Sequence, residues 1–195
     1  NLIRGIDINK SFEDRKKSKG ASIVISIDGS GSMDGQRIKI AQKLVATIYE
    51  SLKGIPEIEV KGNIWSGNEM GDVGITEINK MNDVKKITTI SMEGGYFSTP
   101  THMGLEYSGL MLKKMKGEKK LLILITDGIP NHYKNKTNLQ SVHYHKVCKK
   151  SLEKVLQITP NVLFFVVANK DASYYFNKLF GEKRIIYVNN MNKAF

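Results

Sequence analysis

The sequence contains a single cysteine, Cys148, in 195 residues. A lone cysteine cannot staple its own chain, so the fold does not rest on internal disulfides. That usage suits a reducing compartment, and a cytoplasmic, intracellular setting is the expectation it raises. Long apolar runs are also missing. The strongest, residues 121–125 and 162–167, are far too short to cross a bilayer, which takes about 20 apolar residues. No basic segment followed by an apolar stretch opens the chain, so no secretory signal is visible. The chain starts at Asn1, as a fragment does, and a targeting segment outside it is left open. Internal repeats and low-complexity tracts are absent as well.

Acidic residues are scarce: 19 Asp and Glu face 30 Lys and Arg, for a formal net charge of +11. A basic balance favours acidic proteins, nucleic acid or anionic membranes as partners, and it speaks to association rather than fold. Lys113, Lys114, Lys116, Lys119, Lys120, Lys149 and Lys150 are scattered, which suits solvated helix faces as well as an electrostatic docking surface.

Several catalytic signatures are missing too. The glycine-rich stretch 29–35 lacks the Gly-Lys-Ser/Thr ending of a phosphate loop. A serine nucleophile on a Gly-x-Ser-x-Gly elbow is excluded at Ser30, because Asp28 stands two residues before it. An aspartyl phosphatase would want a second carboxylate where Ser30 stands. His143 and His145, with Cys148 nearby, evoke zinc, but a His-x-His spacing on a helix splays the rings roughly 200° apart. Cys148 and Trp65 read as packed core residues. A magnesium-dependent hydrolase would need a base near its metal, and none is evident beyond two aspartates.

What is present is alternation. Residues 23–28 form a β-branched run ending at Asp28, the pattern of a strand buried on both faces. Residues 37–52 place Ile38, Ala41, Val45, Ile48 and Leu52 at helical spacing. Strands follow over 58–65 and 72–78, joined by a turn-rich link short enough for antiparallel pairing. Residues 82–90 are ambiguous, and 93–100 form a glycine-rich loop. A helix is predicted over 102–116, a strongly apolar strand over 121–125, and a long helix over 139–156. A strand over 161–168, a short helix over 174–180 and a strand over 185–188 complete the chain. Six strands alternating with helices predict an α/β domain with a mainly parallel sheet and helices on both faces. Residues 1–20 read as a polar, basic lead-in, and 21–195 as the domain. Ligands of such sheets bind beyond the carboxyl ends of the strands, where the strand order switches. Two of the best strands end in aspartate, Asp28 and Asp127.

The segment Asp28-Gly29-Ser30-Gly31-Ser32 has the form Asp-x-Ser-x-Ser. Alternate spacing lets a loop leaving a strand turn three oxygen-bearing side chains toward one point, and the glycines permit tight backbone there. Carboxylate and hydroxyl oxygens suit a hard cation such as Mg²⁺ (or Mn²⁺). Asp127 adds a carboxylate from a second strand end, and Thr99 or Thr101 can add a hydroxyl.

These residues resemble the metal-ion-dependent adhesion site of von Willebrand factor A domains, over roughly residues 21–190. The resemblance implies a Rossmann-like sheet with one antiparallel edge strand, which agrees with the reading of 72–78. It implies that Ser30 and Ser32 bind the metal directly, and that Thr99, preferred over Thr101, does so when a ligand is engaged. Asp28 and Asp127 would act largely through water. It further implies a non-catalytic interaction module whose metal takes an Asp or Glu from a protein partner. The run Ile125-Thr126-Asp127-Gly128-Ile129-Pro130-Asn131 and the basic lead-in are similar to an intracellular branch that includes cobaltochelatase-type subunits paired with AAA+ ATPases. Nucleic-acid binding through the basic surface is the competing class.

Overall fold

A computed structural model describes residues 20–68, 70–90, 98–128, 130–131, 133–134, 137–138, 142–167 and 173–188. The β-branched run forms β1 (Ala21–Asp28), in which every residue after the first is buried. β1 lies between two parallel neighbours, β2 (Ile58–Gly67) and β4 (Lys119–Thr126). β3 (Val73–Ile78) pairs antiparallel with β2 at one edge. The two-residue strands β5 (Tyr133–Lys134) and β6 (Thr137–Asn138) pair antiparallel with each other, apart from the main sheet among the described residues. β7 (Val162–Val166) and β8 (Ile185–Tyr187) extend the main sheet in parallel from β4. The order is therefore β3-β2-β1-β4-β7-β8, the expected mainly parallel, six-stranded sheet with one antiparallel edge strand.

Alternation along the strands divides the core between the two faces. Ile23, Ile25 and Ile27 join Ile38, Ala41 and Val45 of α1 (Gln36–Leu52) on one face. Val24, Leu122, Leu124 and Phe164 meet Leu105 and Leu112 of α2 (Thr101–Lys114) on the other. Tyr144, Cys148, Leu152 and Val155 of α3 (Val142–Leu156) join that second face, as do Phe176 and Phe180 of α4 (Ser173–Phe180). Helices thus cover both faces, as the alternation of elements predicts.

A buried polar column fixes how α2 sits on the sheet. The Trp65 indole N–H donates to Ser26 Oγ at 2.9 Å, and Ser26 Oγ donates to Asn63 Oδ1 at 3.2 Å. Asn63 Nδ2 then donates to Ser108 Oγ of α2 at 2.9 Å. Each partner is buried, so each bond removes an otherwise costly unpaired group. Trp65 is core, as the sequence reading has it, and it lies against Gly104, where a Cβ would meet its Nε1 at 2.3 Å.

Some boundaries differ from expectation. β2 runs two residues further, to Gly67. A 3-10 helix, Met81–Lys86, overlaps the first half of the ambiguous stretch 82–90. The β5–β6 hairpin has no counterpart in the sequence reading, since two-residue strands carry no periodic signal. The lead-in 1–19, most of the glycine-rich loop (91–97) and the start of the predicted long helix (139–141) lie outside the described residues. Among the described residues, no helix is long and apolar enough to cross a membrane.

Candidate functional site

The strand order reverses at β1: the chain leaves it for β2 on one side and later returns to β4 on the other. Loops that follow β1 and β4 therefore splay apart and leave a crevice above adjacent strand ends. Asp28 ends β1 and Asp127 follows β4, so both aspartates stand at this switch point.

Asp28 is wholly buried and held from two sides. Its Oδ1 accepts the Ser30 backbone N–H at 2.9 Å, and its Oδ2 accepts Thr126 Oγ1–H at 2.6 Å. Burial raises its carboxyl to a pKa of about 6, an effect that these hydrogen bonds only partly offset and that the nearby Asp127 charge adds to. The Thr126 bond ties the two strand ends together, and Thr126 Oγ1 also accepts the Gly128 N–H at 3.3 Å.

Gly29 is required for a different reason than free backbone dihedrals. Its φ is not positive, but a Cβ there would stand 2.7 Å from Ile64 Cγ1, and its N–H donates to Trp65 O at 2.7 Å. The chain then turns through a 3-10 helix, Gly31–Met33, whose Met33 is buried as a plug in the α1-side core. That turn projects Ser30 and Ser32 together, with their Oγ atoms 3.1 Å apart. Ser32 Oγ donates to Asp127 Oδ1 at 2.8 Å. Thr99 Oγ1 closes the group: a Cβ placed on Gly128 would lie 3.4 Å from Thr99 Oγ1 and 3.6 Å from Ser32 Oγ. Gly128 thus leaves room for hydroxyls from two separate loops to approach one point.

Ser30, Ser32, Thr99 and Asp127 are brought together, while Asp28 sits behind Ser30 as a buried support. Ser32 is the exposed member; Ser30, Thr99 and Asp127 are buried. Thr101 is fully buried at the start of α2, and its hydroxyl donates back to Thr99 O at 3.3 Å. The geometry therefore turns Thr99, rather than Thr101, toward the serines.

Two neighbours join the site without any local sequence signal of that role. Asn131 clasps Thr99, accepting the Thr99 N–H on Oδ1 at 2.9 Å and donating its own N–H to Thr99 O at 3.2 Å. Arg37, in the first turn of α1, donates from one guanidinium nitrogen to Asp127 Oδ2 at 2.5 Å and to Ser32 O at 2.8 Å. Burial pushes the Asp127 carboxyl up, opposed by the Ser32 hydrogen bond and by the Arg37 charge. Arg37 lies five residues after Ser32, and only the geometry shows that it folds back on the site.

Other expectations resolve simply. Cys148 is buried and free, and burial pushes its thiol up to about 12. His145 stacks edge-on against Tyr175. Among the described residues, no group of three His, Cys, Asp or Glu side chains is placed to hold a metal; the His143 side chain lies outside them.

The von Willebrand factor type A domain model matches residues 22–189, and the chain belongs to that family. Among curated proteins no match is found. Solved structures with the same fold include the pilus adhesin SpaC of Lactobacillus rhamnosus GG, in its open conformation. It is 15% identical with a TM-score of 0.60, over 91% of this chain and 29% of that one. The PilB minor pilin of Streptococcus sanguinis is 16% identical with a TM-score of 0.58, over 89% and 57%. The conserved protein BatB of Bacteroides thetaiotaomicron is 16% identical with a TM-score of 0.57, over 90% and 93%. This chain spans less than a third of the adhesin and under two thirds of the pilin. At such identities the likeness is one of fold.

Proposed function

We propose that this domain is a protein-interaction module that binds a divalent cation, Mg²⁺ or Mn²⁺, and through it an Asp or Glu of a protein partner. The observation that carries the reading is the convergence of Ser30, Ser32 and Thr99 hydroxyls beside Asp127 at the switch point. This donor set is oxygen only, which suits a hard cation with few protein ligands. Ser30, Ser32 and Thr99 would hold the ion directly, and Asp28 and Asp127 would support it largely through water. When bound, the ion supplies an electrophilic position that a carboxylate can fill. Neutral hydroxyls offset none of its charge and aspartates acting through water offset only part, so the remaining demand is left to the partner.

The arrangement favours binding over turnover. Asp28 has both oxygens engaged, and Asp127 is engaged by Ser32 and Arg37, so neither is poised as a general base. The membership in an interaction-domain family and the adhesin and pilin folds point the same way. An AAA+ ATPase as partner, and with it an intracellular setting, stays within the proposal as one partner class. The basic cleft lined by Lys119, Lys120, Lys183 and Arg184 lies at the opposite, amino-terminal ends of β1, β4 and β7, away from the site.

The test is calorimetric titration of the domain with Mg²⁺ and Mn²⁺, in wild type and in the Ser30→Ala/Ser32→Ala double variant. A single saturable site in wild type that vanishes in the folded variant supports the reading. Equal heats in both would sink it. Partners that stay bound with Mg²⁺ and are released by chelator then complete the case, provided that neutralising one acidic residue on the partner prevents rebinding.

A further inference from the structure

Arg37 occupies a place where a cation is costly. It is the second residue of α1, and the amino-terminal end of a helix carries partial positive charge that repels cations. No acidic residue lies in that first turn, and the helix has no side-chain cap. Its guanidinium nevertheless reaches back across the Asp-x-Ser-x-Ser turn to Asp127 and to the Ser32 carbonyl. The pair is asymmetric: the Asp127 side chain is 1% exposed, whereas that of Arg37 is 48% exposed. The carboxylate is fixed in the wall of the crevice, and the arginine can swing away into solvent without unpacking the core. Asp127 Oδ1 accepts from Ser32, so Oδ2 is the oxygen that Arg37 takes.

We propose that Arg37 is a resident counter-cation of the site, a positioning residue that holds Asp127 and Ser32 in the metal-free protein and competes with the divalent ion. The inference rests on the proposed metal reading and adds to it a resident competitor for the metal's carboxylate. Arg37 and the ion draw on the same carboxylate. Both cannot stand against it at full strength, because a unit charge a few ångströms from a divalent ion repels it even in a water-like dielectric. Metal entry therefore requires the guanidinium to leave Asp127. The released guanidinium stays within a side chain's length of the metal position. There its planar fork suits a carboxylate arriving with the partner. A domain built this way holds metal weakly alone and more firmly once a partner supplies anionic charge to both cations.

The experiment is Mn²⁺ titration of wild type, Arg37→Ala, Arg37→Gln and Arg37→Lys, each by calorimetry and by thermal melting with and without metal. Loss of Arg37 should tighten Mn²⁺ binding on the order of tenfold, the scale set by one unit charge beside a dication. Arg37→Lys, which keeps the charge on a flexible point donor, should fall between wild type and Arg37→Ala. Without metal, Arg37→Ala should melt below wild type, and saturating Mn²⁺ should narrow or reverse that gap. Unchanged affinity in a folded Arg37→Ala or Arg37→Gln protein would show a surface ion pair with no part in metal binding and overturn the proposal. Weaker affinity would also overturn it, by showing that Arg37 supports the metal-bound form. Absence of saturable Mn²⁺ binding in every variant would bring down the metal reading and this inference together, a result distinct from the other two. Binding by Arg37→Ala alone would support it.

Discussion

Thr99 and Asn131 hold each other by two hydrogen bonds, Thr99 N–H to Asn131 Oδ1 at 2.9 Å and Asn131 N–H to Thr99 O at 3.2 Å. The clasp joins the start of α2 to the loop after β4, so the loop that carries Asp127 also sets the position of Thr99. Hydroxyl ligands contribute little individually, and their value depends on being held in place before the metal arrives. Asn131→Ala removes the acceptor and leaves a mostly buried N–H unpaired, at a cost of about 1–3 kcal/mol. The expected result is a folded protein with Mn²⁺ affinity reduced roughly tenfold, measured by calorimetry. Asn131→Asp, which keeps an acceptor at the same place, should lose less. Unchanged affinity in Asn131→Ala would show that Thr99 needs no such support.

Cys148 is expected to be chemically silent in the folded protein. It is fully buried in α3 against the sheet, and burial pushes its pKa up to about 12. Alkylation proceeds through the thiolate and needs access, so both requirements fail. Iodoacetamide at pH 8 should leave the native protein unmodified by mass and label it fully in denaturant. Rapid native labelling would show that α3 opens locally far more readily than its packing implies.

Much of the architecture was legible because it rests on periodicity. The continuous β-branched run at 23–28 and the apolar run at 121–125 mark strands buried on both faces, and the 3.6-residue spacing in 37–52 marks a helix with one apolar side. The candidate site residues were legible because Asp28, Ser30 and Ser32 lie within five positions and Asp127 ends a strong strand. Arg37 and Asn131 were not, for the opposite reason. Each acts through a contact with another segment, 90 residues away for Arg37–Asp127 and 32 for Asn131–Thr99. No local pattern distinguishes such an arginine from any solvated residue in a helix's first turn. The structural role of Thr126 was hidden similarly, since its hydrogen bond to Asp28 exists only once β1 and β4 are adjacent.

Two glycines in α2 should respond differently to the same methyl group. At Gly104 a Cβ would fall 2.3 Å from Trp65 Nε1, and the indole cannot retreat without losing its hydrogen bond to Ser26. At Gly109 the nearest atoms are the ends of Ile158 and Val155 at 3.3 Å, which can shift by a few tenths of an ångström. Replacing glycine by alanine inside a helix otherwise gains up to about 1 kcal/mol. Gly104→Ala should therefore destabilise by about 2–4 kcal/mol, while Gly109→Ala should stay within about 1 kcal/mol of wild type. Urea unfolding measures both. Equal effects would mean that α2 can slide on the sheet.

Asp28 is expected to cost the metal-free protein stability at neutral pH. Its folded pKa of about 6 lies above the ordinary value of 3.8, chiefly because the carboxylate is desolvated. The folded state therefore binds the proton more tightly than the unfolded state does. Between pH 3.8 and about 6, the folded state carries more protons, so stability falls as the pH rises through that window. Above it the full penalty is in place, on the order of 3 kcal/mol. Asp28→Asn removes the charge and keeps an oxygen that can accept the Ser30 N–H. With chelator present, the variant should be more stable than wild type at pH 7.5, and the advantage should shrink toward pH 4. Two losses limit the gain: the hydrogen bond from Thr126 must be rebuilt with the amide as donor, and the amide cannot hold a cation. Adding Mn²⁺ should then raise the melting temperature of wild type and leave that of Asp28→Asn unchanged. A buried carboxylate that weakens the empty fold and is offset by bound metal is the behaviour of a group kept for binding. If Asp28→Asn were instead less stable than wild type at pH 7.5 without metal, Asp28 would be a structural bracket for the Ser30 turn and its charge would serve the fold.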